Sequence, residues 1–166
     1  MEARQLSDSP APAFGLSLRI RHPSIDPAEI SKELQLEPEH CFRAGEPRNS
    51  SSGLAATATH AESYWLAALN PFAPLSPFAA QLPSTAVEAL RSRTTLGLDL
   101  ALSLCATHLA RRHAAFFNRI VADGGQIGLL VEMAPDEVRS FSIPPAIGRS
   151  LSELGIALEF EFEAVD

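Results

Sequence analysis

Three separated stretches of the chain alternate apolar and polar side chains with period two, and the segments between them repeat their apolar residues at helical spacing. A chain punctuated in this way folds as a sheet with helices laid against it. In the first stretch Phe14, Leu16, Leu18 and Ile20 alternate with Gly15, Ser17, Arg19 and Arg21. In the second, Ile127, Leu129, Val131 and Met133 share one face, and Leu130 on the other marks a central rather than an edge strand. In the third, Leu158, Phe160 and Phe162 point one way while Glu159, Glu161 and Glu163 point the other.

The helical segments carry their own start and stop signals. Asp26 can cap a helix with Pro27 at its first position, Glu29 three residues on can bond back to the cap, and Ile25 and Ile30 flank it as a hydrophobic staple. Ile30 and Leu34 then face the sheet, Lys32 and Glu33 face water, and the helix stops near Gln35. Leu96 to Leu104 alternates like a strand, but Leu98, Leu102, Cys105 and Leu109 also share a helical face. The helical pattern continues through Phe116 and Ile120 to a Gly124-Gly125 stop, which favours a helix over about 98–122. A shorter helix follows Pro144-Pro145, with Ile147, Leu151 and Leu154 inward and Gly155 at its end.

A short strand is expected around Cys41 and Phe42, a flexible loop at Asn49–Gly53, and a longer strand from about Ala56 to Leu69 that carries Tyr64 and Trp65. Four prolines between 70 and 84 argue against any regular element there, so 70–97 reads as a Pro-rich insert on the surface. Residues 1–13 are polar, Pro-containing and aperiodic, which suits a tail. The expected order is β-α-β-β-α-β-α-β in a single α+β domain over 14–166. The expected architecture is a ferredoxin-like sandwich with a mainly antiparallel sheet and helices on one face.

The length of 166 residues and the 46% hydrophobic content suffice for one core without metals or disulfides. With two cysteines and no basic-apolar leader at the start, the expectation is a cytoplasmic protein. No apolar run reaches the roughly 20 residues of a membrane span. A net charge of −7 disfavours direct contact with nucleic acid or anionic lipid.

In their order and spacing, several of these features resemble the bacterial family known as domain of unknown function 4279. They are Ile25-Asp26-Pro27-Ala28-Glu29-Ile30, Leu34-Gln35-Leu36-Glu37-Pro38, Arg43-Ala44-Gly45-Glu46, Trp65, and the Leu154-Gly155-Ile156 step into the last strand. The resemblance spans most of 14–164 and implies an α+β fold, with no catalytic or binding residue to carry over. The insert at 70–97 departs from the family pattern.

Chemistry is sparse. Cys105 and His108 are three apart on the long helix, too few for a zinc site, so Cys105 reads as a core residue and no cofactor is expected. His113 borders the apolar stripe and reads as a satisfied core or boundary histidine. His40 and Cys41 are adjacent on a strand and so point to opposite faces. No nucleophile elbow, phosphate loop, dinucleotide fingerprint or zinc-protease motif is present. Charge is segmental: residues 86–123 hold five basic and three acidic side chains, whereas 124–166 hold two and eight.

These features favour a binding protein over an enzyme, an immunity-type or regulatory partner of a basic protein, with Glu159, Glu161 and Glu163 in its interface. Such a row can equally serve to keep an exposed sheet from aggregating. The rival expectation is a small-ligand sensor or enzyme with a site around His40, Cys41, Arg43, Arg48, His60 and Trp65, its pocket lined by Arg43, Glu46, Arg48, His60 and Trp65. A domain that serves only its own oligomer is the third.

Overall fold

The computed structural model describes residues 14–48, 58–69, 77–85, 97–133 and 142–162. Among them are strands β1 (Phe14–His22), β2 (His40–Phe42), β3 (Ser63–Ala68), β4 (Gln126–Met133) and β5 (Ile156–Phe162). The helices are α1 (Pro27–Leu34), α2 (Pro77–Gln81), α3 (Leu98–Ala122) and α4 (Pro145–Glu153). The strands form one mixed sheet in the order β2-β3-β1-β4-β5. β1 runs antiparallel to both β3 and β4, β2 antiparallel to β3, and β5 parallel to β4. The fold class is therefore α+β, as the alternating periods imply.

Parity along the strands decides where the core lies. Register places Leu18 beside Ala67 and Leu129, and Leu129 beside Leu158, so all four share one face. That face joins Ile30 and Leu34 of α1, Leu102, Leu109 and Phe117 of α3, and Ile147 and Leu151 of α4 in one apolar cluster. Trp65 belongs to it, fully buried, with its indole Nε1–H donating to Ser31 Oγ at 3.0 Å. The indole thereby hides its area and keeps its one polar group paired beneath α1.

α1 starts as expected in one respect and not in another. The Asp26 carboxylate accepts from Ala28 N at 3.0 Å, but Glu29 does not bond back to the cap, because its Oε1 pairs with Arg119 Nη2 at 2.6 Å on α3. The capping box is half made, and its second half ties two helices together instead. The helix ends where Gln35 turns left-handed, with φ 54°.

Two boundaries differ from the sequence reading. The strand expected from Ala56 to Leu69 is β3 from Ser63 only, since residues 61 and 62 bend and residues 58–60 pair instead with 45–48. The 70–84 segment does contain a regular element, α2. Pro77 stands at its first position, where a helix needs no N–H, so proline is compatible there. α2 is held by Gln81, whose amide donates to the Leu34 and Gln35 carbonyls at 3.1 and 3.2 Å. The tail 1–13, the Asn49–Gly53 loop and the flanks of α2 within 70–97 lie largely or wholly outside the described residues.

Replacing Asp26 by Ala removes the cap and the carboxylate that faces Arg43 at 3.2 Å. We expect a loss of about 1 kcal/mol, read as a fall of roughly 2–4 °C in Tm by circular dichroism.

Candidate functional site

The helices cover one face of the sheet, and the other face carries the polar residues of β1, β4 and β5 in three register rows. Gly15, Glu132 and Glu161 lie side by side at one end. Ser17, Leu130 and Glu159 form the next row, and Arg19, Gly128 and Ala157 the one after. Arg21 and Gln126 close the other end.

The middle rows are locked by an ion pair. Arg19 Nη2 donates to Glu159 Oε2 across β4, the side chains being 18% and 34% exposed. The contact is possible because the strand between them has no side chain at that point: a Cβ built on Gly128 would collide with the Glu159 carboxylate. The same arrangement recurs at Gly15, whose Cβ would fall 2.9 Å from Glu132 Oε2. Glycine within a strand commonly marks such close approach.

The expected glutamate row is thus divided. Glu159 is neutralised by Arg19, Glu161 is exposed, and Glu163 lies outside the described residues. Glu132, the cross-strand neighbour of Glu161, takes the second place: Glu132 and Glu161 are both exposed, and neither has an ion-pair partner among the described residues. The outward parity of Glu132 on its strand was available from the sequence. Its place opposite Glu161 was not, since that requires knowing that β5 pairs with β4.

The residues of the expected ligand pocket do not all converge. Cys41, Glu46, Arg48 and His60, with Phe42 and Pro47, line an open cleft of about 590 Å³. Phe42 stacks on His60 at 3.7 Å and on Tyr64 at 5.1 Å. Arg43 turns to Asp26, while Glu46 Oε2 accepts from Arg43 N at 2.9 Å and closes the turn. Trp65 is buried on the opposite face of β3 from Tyr64 and cannot line the cleft. His40 and Cys41 are exposed, and Cys41 is a free thiol.

Cys105 is buried, and burial pushes its thiol up to about 12. His108 does not turn to it; its Nε2 meets Gln81 Oε1 at 3.2 Å. Among the described residues no group of three His, Cys, Asp or Glu side chains is placed to hold a metal ion. His113, 8% exposed, has its Nδ1 3.5 Å from Glu33 Oε1 and without a hydrogen bond, so it is a buried but not a satisfied histidine. At that distance Glu33 supplies charge attraction rather than a formed bond. Burial, then His113 and Arg112, lowers His108 to about 4. Burial also lowers His113, with Glu33 opposing and Arg112 assisting.

Compared with known proteins, the chain matches no family model, no curated protein and no solved structure. Among the described residues no helix is long and apolar enough to cross a membrane.

Two outcomes follow from this geometry. In Gly128→Ala the new methyl displaces Glu159 from Arg19, and we expect a loss of about 1–2 kcal/mol in urea denaturation, most of it also lost in Glu159→Gln. In the folded state His108 and His113 titrate below the ordinary value of 6.5, so their contribution is complete above that pH and declines as pH falls below it. Denaturation at pH 7 and pH 5 should differ by on the order of 1–2 kcal/mol, and His108→Gln should reduce that difference.

Proposed function

We propose that the protein is a non-catalytic binding domain that receives a cationic segment of a basic protein on the open face of its sheet, in the manner of an immunity or regulatory partner. The observation that carries this reading is the pair Glu132 and Glu161. Like charges directly opposite on neighbouring strands destabilise a sheet by up to about 1 kcal/mol. Both carboxylates are nonetheless exposed at the end of the face, with no ion-pair partner among the described residues. A lysine or arginine from a partner converts that repulsion into attraction and speeds encounter. Glu163 extends the same row in the sequence.

The architecture best suited to this role is a ferredoxin-like sandwich extended by one strand. Its support is the order β2-β3-β1-β4 with antiparallel neighbours, α1 crossing between the parallel strands β1 and β2. The likeness to domain of unknown function 4279 is part of the same proposal, resting on the Asp26 cap and the Leu154-Gly155-Ile156 step. A second reading, a small-ligand site in the Cys41, Glu46, Arg48 and His60 cleft, is favoured by their common lining of one cavity. It requires a metabolite-dependent rise in Tm that Arg48→Ala removes.

The test of the first reading has two parts. Glu161→Gln relieves the repulsion and should raise stability by roughly 0.5 kcal/mol. In a tagged pull-down, a stoichiometric basic protein should be retained by the native chain in low salt and lost in high salt. It should also be lost to Glu132→Lys/Glu161→Lys at low salt. A protein captured equally by this folded variant overturns the assignment of the interface.

A further inference from the structure

We propose that the opposite end of the open face, at Arg21, is a binding site for a small oxyanion, a carboxylate or a phosphate. A cleft of about 300 Å³ opens there, walled by Arg19, Arg21, Gln126 and Glu159 over a floor of Gly128 and Ala157. The floor is low because neither residue carries a side chain beyond Cβ, which is why the central strands leave a hollow at this point.

The charges in the cleft are unequal in their availability. Arg19 and Glu159 satisfy one another, so together they contribute little net charge. Arg21 is held only loosely: its Nε is 3.9 Å from Glu62 Oε1, near the outer limit of an ion pair, and the two side chains are 39% and 49% exposed. It therefore keeps N–H donors for a ligand, and a guanidinium presents them in a fork that matches two oxygens of a carboxylate or phosphate. Gln126, its cross-strand neighbour, adds an amide donor beside it. Arg21 stands on the central strand, so the sheet fixes its backbone.

Glu159 competes for this site. Its carboxylate already occupies Arg19, so an arriving anion meets one free guanidinium and a carboxylate nearby. Neutralising Glu159 releases Arg19 and gives the anion two guanidinium groups.

Inorganic phosphate and acetate are titrated separately into ¹⁵N-labelled full-length protein at fixed ionic strength, following the arginine Nε–Hε resonances. Saturable movement of the Arg21 resonance is expected with at least one of them. Phosphate alone assigns a phosphate ligand, acetate alone a carboxylate, and both the shared oxyanion chemistry. Arg21→Gln should weaken binding about tenfold, the loss of one charge-assisted contact. Glu159→Gln should tighten it about threefold by removing a like charge. Gln126→Glu, which leaves the Arg19–Glu159 pair intact, should abolish it, and Lys32→Gln, on the exposed side of α1, should leave it unchanged. Movement that is linear in anion, identical with chloride, or unaltered in folded Arg21→Gln and Gln126→Glu overturns the proposal.

Discussion

A sheet whose described helices lie on one face must solve two problems with the same strands: bury every second side chain there, and keep the remaining ones stable on the other face. Of the three strands with a neighbour on both sides, β1 and β4 are the longest and bear the heaviest load. Their inward residues, Leu16, Leu18, Ile20, Ile127, Leu129 and Val131, are all essentially buried. The outward residues are mostly polar or glycine, with Leu130 buried among them, because a wholly apolar second face would seek another protein. The Arg19–Glu159 pair answers that constraint at the centre of the face. It spans three strands and holds a side chain from the edge strand β5 over β4, in the gap left by Gly128, against an arginine from β1.

On the covered face the same economy of polar groups is visible. Helices α1, α2 and α3 are joined to the rest by specific bonds in addition to apolar packing. Trp65 donates to Ser31, Arg119 pairs with Glu29, and Gln81 links α2 to the end of α1 and to His108. Gln81 is notable because its two ends serve different helices: the amide donates to orphan carbonyls at the end of α1, and the oxygen meets an α3 histidine. A buried neutral histidine suits that place, since it can donate one hydrogen bond without bringing a charge into the core.

Local periodicity carried most of the fold. α3 is a helix despite the alternating leucines at its start, since Cys105, Leu109, Phe116 and Ile120 extend the helical face far beyond the length of a strand. The Asp26 cap and the glycine after α4, with φ 67° at Gly155, were equally legible. α2 is hidden in the sequence because four prolines close together read as breakers, whereas Pro77 at a first helical position is compatible with a helix. The candidate sites were less legible because they depend on pairing. Trp65 sits in phase with Ser63 and Ala67, and only the register with β1 tells which face that phase buries. Arg19 and Glu159 are 140 residues apart, and no local pattern announces that β4 and its glycine will stand between them.

The register also arranges charge along the open face. Arg21 lies at one end, the neutral Arg19–Glu159 junction in the middle, and Glu132 with Glu161 at the other, six residues of β1 away. At roughly 3.3 Å per residue that separation is about 20 Å. The Debye length at physiological salt is about 8 Å, so the charges at the two ends are screened from one another. Net charge is therefore a poor guide to what this face can hold. A chain at −7 presents a carboxylate end and a guanidinium end on a single sheet, because one internal ion pair neutralises the ground between them.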